Sequence, residues 1–135
     1  MGGSPRDAAS VWSHVSLGTR ELARAAAFYD AVLAPLGHVR VWSNAQAVGY
    51  GPPGGADGLA LFFQPGDSGP LAAGPGAHLA LVAPSRDAVD RFHAAALAHG
   101  GADVGGPGLR PRYGAGYYAA FVLDLDGHKL EAVSQ

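Results

Sequence analysis

HVSLGTRELARAAAFYDAVLAPLG, from His14 to Gly37, decides the fold, because the chain nearly repeats it. Shifted by 64 positions it falls on HLALVAPSRDAVDRFHAAALAHGG, from His78 to Gly101. His14 then lies on His78, Leu17 on Leu81, Phe28 on Phe92, Leu33 on Leu97 and Gly37 on Gly101. Each copy reads as an apolar strand opening at a histidine, an amphipathic helix, and a glycine that stops the helix. A unit of about half the chain, used twice, predicts two similar modules with their strand histidines at equivalent places. A site shared between the modules is the natural consequence.

Outward from the repeat, the pattern continues. In the first module the strand reading covers Val11 to Gly18, Thr19 is placed to N-cap the helix, and Leu22, Ala25, Ala26, Tyr29, Val32 and Leu33 recur at helical spacing. Pro35 and Gly37 close it. Val39 to Trp42, Ala47 to Tyr50 and Leu59 to Gln64 are the next strands, with GPPGGADG as a joint. Residues 65–76, rich in Gly, Pro, Asp and Ser, read as the linker. The second module repeats the order: strand Ala77 to Ala83, a helix capped by Ser85 with Asp87 in its first turn, a short strand from Val104, a loop from Gly105 to Gly116, and strands Tyr117 to Asp124 and His128 to Val133. Asp126-Gly127 between two apolar runs signals a hairpin. The reading is an α+β chain of two βαβββ modules, about 11–64 and 77–135, in one domain spanning 11–135, preceded by a flexible tail over 1–10.

Composition bounds what such a chain does. It has 135 residues, 48% of them hydrophobic, enough for a core; its 21 glycines and 10 prolines fall mainly between periodic segments, as turns do. A net charge of −2 with no single-sign run argues against nucleic acid as a partner. No cysteine is present, which removes disulfides and thiolate metal sites. No apolar run is long enough to span a membrane, and no leader is visible at the start, so the expected location is the cytoplasm.

Three residues carry the chemistry. His14, His78 and Glu131 lie on three strand segments, and imidazole nitrogens with a carboxylate oxygen suit a borderline divalent cation that keeps an open position. Aligning GLALFFQ from Gly58 with GHKLEAV from Gly127 sets Phe62 where Glu131 stands, and phenylalanine cannot ligate. Gln64, two residues on and on the same face, offers an amide oxygen instead. RPRYGAGYY adds Arg110, Arg112, Tyr113 and Tyr118, a planar fork for an oxyanion and aromatic faces with hydroxyls, in a loop read as covering the substrate or as packing only. Trp42 and Phe62 are candidates for an apolar pocket wall. His38, His93, His99 and His128 are expected on the surface or on helix faces.

HVSLGT, HLALVA, the helix segment AAAFYDAVLAPLG and the ending YYAAFVLDLDGHKLEAV together resemble the vicinal oxygen chelate superfamily, the glyoxalase, bleomycin-resistance and extradiol-dioxygenase group. The resemblance covers nearly everything after Val11 and rests most on Asp124, Asp126, Gly127 and Glu131 and on Phe28, Tyr29, Leu33, Leu36 and Gly37. It implies modules curled into a cup-shaped half-barrel sheet with helices outside. It also implies one divalent ion (Zn, Ni, Mn or Fe) held by His14, His78 and Glu131, with Glu131 doubling as catalytic base. The implied chemistry is that of a lyase, isomerase or dioxygenase acting on a small molecule with adjacent oxygens. Metal-free relatives that bind and sequester a drug are the alternative. The resemblance further implies a homodimer in some members, so the cup could close within one chain or across two.

Overall fold

The computed structural model describes residues 11–135; the tail expected over 1–10 lies outside the described residues. The first module runs β1 (Val15–Thr19), α1 (Leu22–Leu33) with a 3-10 turn at Ala34–Leu36, β2 (Val39–Ser43), β3 (Ala47–Gly51) and β4 (Leu59–Phe63). The second runs β5 (Leu79–Val82), α2 (Arg86–Ala98), β6 (Ala102–Leu109), β7 (Tyr118–Leu123) and β8 (Lys129–Ser134). Each module folds as an open four-stranded sheet, ordered β1-β4-β3-β2 and β5-β8-β7-β6, so the repeat in sequence is a repeat in topology. In each, the first and last strands pair in parallel and the rest antiparallel.

Local chemistry explains most of the boundaries. Ser85 caps α2 by accepting from the Ala88 amide, and Asp87 sits in its first turn. Thr19 does not cap α1. Glu21 occupies that position without a side-chain cap, and the buried Thr19 hydroxyl accepts from the Glu21 amide. Gly37 takes a left-handed φ of 84° after the 3-10 turn, a conformation that a side chain would strain. β1 and β5 begin after His14 and His78, so both histidines stand at strand entrances rather than inside strands. Residues 105–109 of the loop expected between Gly105 and Gly116 are strand instead, and the remainder is loop. β6 extends to Leu109 as an edge strand, its pairing with β7 shifting register between Asp103 and Gly105 and again between Gly105 and Gly108. Those irregularities accommodate Pro107, which has no amide hydrogen to donate.

Alternation along the strands separates two faces. Val48, Tyr50, Leu59, Leu61, Ala120, Val122, Leu130 and Ala132 turn to the helices, where they join Phe28, Tyr29, Val32, Val89, Phe92 and Ala96 in one buried cluster. The intervening residues, Phe62 and Glu131 among them, point to the opposite, outer faces. The modules join behind the sheets. There α1 packs on α2, Tyr29 donates to Asp124 Oδ2 at 2.6 Å, and the Arg20 amide donates to Asp126 Oδ1. His128, expected at the surface, is buried in this joint, and its Nε2 donates to the Gly18 carbonyl at 2.9 Å. The Arg20 guanidinium donates to the Pro65 and Gly69 carbonyls and the Ser68 hydroxyl, which straps the linker to the end of β1. No helix among the described residues is long and apolar enough to cross a membrane.

Candidate functional site

The β7–β8 hairpin sets the register of the site. The Asp126-Gly127 turn, with Gly127 at φ 91°, holds Asp124 Oδ1 against the Asp126 and His128 amides. From there Leu123 pairs with Lys129 and Phe121 with Glu131. β8 lies between β7 and β5, so Glu131 also neighbours Ala80, one residue into the strand that His78 introduces. His78 Nε2 reaches Glu131 Oε1 at 3.0 Å. The Tyr117 hydroxyl donates to the other oxygen, Oε2. The Glu131 side chain is 3% exposed, against 39% for His78, so the imidazole stands between the carboxylate and solvent. Its hydrogen bond to Glu131, and then burial, push the Tyr117 hydroxyl up to about 12.

Around this pair opens a cavity of about 640 Å³, walled also by Arg110, Arg112, Tyr113, Phe121 and Lys129. The Phe121 ring is its floor. The His78 ring meets it edge-on at 6.0 Å, the Arg110 guanidinium carbon lies 5.6 Å from its centroid and Lys129 Nζ 5.2 Å. Arg110 is steadied by donating to the Gly106 carbonyl at 2.7 Å. Arg112 lies over the Tyr113 ring at 4.9 Å, and Tyr113 packs on Tyr117 at 5.3 Å.

The structure therefore brings together His78, Glu131, Arg110, Arg112 and Tyr113. It does not bring His14 to them. His14 precedes β1 in the other sheet, exposed and hydrogen-bonded through Nδ1 to Ser13, and no group of three or more His, Asp or Glu side chains able to hold a metal forms among the described residues. The repeat that equates His14 with His78 also puts them on different sheets. Gln64 follows β4 in the first sheet, its side chain against Gly18 and its carbonyl near Arg20, and it does not line the cavity around Glu131. Trp42 and Phe62 lie on the outer face of the first sheet, 6.3 Å between centroids. The Trp42 indole covers Gly49 so closely that a Cβ there would sit 2.1 Å from its Nε1. Tyr118 faces the other way from its neighbour Tyr117: its hydroxyl donates to Asp90 on α2 at 2.7 Å, and Arg86 stacks over the ring, so it serves the helix face and not the cavity. Phe121 and Lys129 were not singled out in the sequence. Counting hairpin pairs outward from Asp126-Gly127 would have found both, since they flank Glu131 across and along the ladder.

A second cavity, about 720 Å³ and mainly apolar, lies between β5 and the first module, lined by Trp12, Leu33, Leu36, Tyr50 and Leu79 among others.

A family model described as the Glyoxalase/Bleomycin resistance protein/Dioxygenase superfamily matches residues 12–132. Among solved structures, a glyoxalase/bleomycin resistance protein from Albidiferax ferrireducens is 34% identical, over 93% of this chain and 99% of that one, with a TM-score of 0.77. The fosfomycin resistance protein FosX from Listeria monocytogenes is 19% identical over 93% of both chains, with a TM-score of 0.66. A glyoxalase I variant from Zea mays is likewise 19% identical with a TM-score of 0.66, over 89% of this chain and 45% of that one. These last two are likenesses of fold. No curated protein matches the chain.

Proposed function

The chain belongs to the Glyoxalase/Bleomycin resistance protein/Dioxygenase superfamily, and from that premise we propose that it is a divalent-metal-dependent enzyme of the glyoxalase type, a lyase, isomerase or dioxygenase acting on a small molecule with adjacent oxygens. One observation carries the reading: a histidine and a carboxylate, 3.0 Å apart, at the wall of an open cavity on the outer sheet face. Their donor set, one imidazole nitrogen and one carboxylate oxygen, fits two positions of a zinc-like site, and such sites take three protein ligands. The third would come from His14 of a second copy, since the outer face of the first sheet is open and carries its histidine at the equivalent strand entrance. Exposed Val82 and Trp12, at 80% and 73%, are the apolar surface such a dimer would cover.

An ion held there would act as a Lewis acid toward the substrate's two oxygens. The chain's own residues supply the rest. Glu131 would help to hold the ion and also take a proton from a carbon that bears one of those oxygens, as general base. Tyr117, donating to Oε2, fixes the orientation of the carboxylate. His78 shields it from bulk water. Arg112 and Tyr113 form the rim that the substrate passes.

A metal-free protein that sequesters its ligand is the second reading. Phe62 and Trp42 favour it, because they give the first sheet an aromatic wall at the position symmetric with Glu131. Elemental analysis of the purified protein, dialysed without chelator, separates the two. The enzyme reading expects about one equivalent of metal per chain, lost in both His14→Ala and His78→Ala. No metal after incubation with zinc, nickel, manganese and iron(II) would overturn it in favour of sequestration.

A further inference from the structure

We infer that the ligand of the His78–Glu131 cavity carries an oxyanion, a carboxylate or a phosphate, which Arg110 and Lys129 take over the Phe121 ring, with Arg112 on the same cavity wall. The inference rests on reading that cavity as the substrate site and adds the class of substrate. The argument is one of unmatched charge. Arg24, Arg40 and Arg91 each pair with a carboxylate, at 2.9, 2.8 and 2.9 Å. Arg110, Arg112 and Lys129 take part in none of the ion pairs among the described residues, although the chain as a whole is acidic, at −2. All three line one cavity. The single carboxylate in that lining, Glu131, is already engaged by His78 and Tyr117. The cavity wall therefore carries two more fixed positive charges than negative ones.

The donors are also poised. A guanidinium offers five N–H groups in a planar fork. Arg110 spends one on the Gly106 carbonyl and Arg112 one on the Tyr113 hydroxyl, so both keep donors for a ligand. Those hydrogen bonds go to neutral acceptors and the remaining contacts are cation–π contacts, all of which position a charge without neutralising it. Arg110 and Lys129 both lie within 5.6 Å of the same Phe121 centroid, so an oxyanion near that ring can meet both. The ring's apolar face keeps water from competing for part of that surface. Phe121 is paired with Glu131 in the ladder, which places the anionic end of a ligand next to the residues that would handle its reacting end.

The test is a titration of the metal-free protein, after chelation, with sodium glycolate, inorganic phosphate and neutral ethylene glycol, followed by amide NMR. Because no metal is present, a failure here is separate from a failure of the metal reading. The expected result is saturable shifts at Gly105, Gly106 and Gly108 with glycolate or phosphate and none with ethylene glycol. Arg110→Gln and Lys129→Gln should each weaken binding roughly tenfold, the effect of removing one charge-assisted contact at a partly screened site. Arg24→Gln and Arg91→Gln should leave it unchanged. Whichever anion binds more tightly names the headgroup. Equal response to ethylene glycol, absence of saturation, or unchanged affinity in the Arg110→Gln/Lys129→Gln double variant would overturn the inference. Amide spectra of each variant establish that it is folded.

Discussion

Replacing Tyr29 with phenylalanine removes one oxygen from the joint between the modules. That hydroxyl, on α1, donates at 2.6 Å to Asp124 Oδ2 at the end of β7, across 95 positions of sequence. Both residues are buried, Tyr29 1% and Asp124 7% exposed. The other oxygen, Oδ1, keeps its Asp126 and His128 amides, so the variant leaves one buried carboxylate oxygen without this donor while the turn persists. A hydrogen bond to a charged or partly charged group contributes about 1.5–3 kcal/mol net, and no cavity larger than a hydroxyl is made, so about 2 kcal/mol is expected. With an unfolding entropy of about 2.1 cal/mol/K per residue, that is a fall in Tm of about 7 °C for this chain. Thermal unfolding by far-ultraviolet circular dichroism measures it. The same substitution on an Asp124→Asn background should cost markedly less, because its partner has changed. A fall below about 2 °C, or equal falls on both backgrounds, would refute the claim that this bond holds the modules together.

Burial raises the pKa of Asp124 above its ordinary value, so the folded state retains its proton where the unfolded chain releases it. Stability from this group is complete below the unfolded carboxylate value of about 3.9 and is lost as pH rises through the raised folded value. Wild type minus Asp124→Asn, in Tm against pH, should therefore decline across that window, and a constant difference would contradict it. Glu131→Gln should bring Tyr117 down from about 12 toward the ordinary tyrosine value of about 10, read by NMR titration of ring-labelled tyrosine; an unmoved Tyr117 would mean that the two do not interact. Gly101→Ala should cost roughly 2–3 kcal/mol, because its Cβ would stand 2.8 Å from both the Leu123 carbonyl oxygen and the Phe28 ring, whereas Gly106→Ala, with nothing within 4 Å, should be nearly neutral in thermal melts.

The architecture was legible in the chain because hydrophobic spacing is a local signal. Phe28 and Phe92 recur at the same helical phase in both copies, Ser85 announces a cap, and Asp126-Gly127 announces a hairpin, and all appear where the spacing puts them. The sequence places only a short strand from Val104 and a loop from Gly105, because glycine-rich, proline-containing sequence has no pattern of its own; pairing with β7 makes all of Ala102–Leu109 a strand.

The candidate site divides along the same line. Sequence alone identified the residues able to ligate or to bind an anion, since that depends on side-chain type: His14, His78, Glu131, Arg110 and Arg112. Tertiary structure alone decided which of them meet. Strand alternation sends Tyr117 to the cavity and its neighbour Tyr118 to Asp90, and the hairpin register sets Phe121 and Lys129 beside Glu131. It also keeps His14 apart from His78, because a repeat builds two sheets that each carry their own histidine. Distances between residues far apart in the chain are set by packing, and packing is a property of the whole core rather than of any segment.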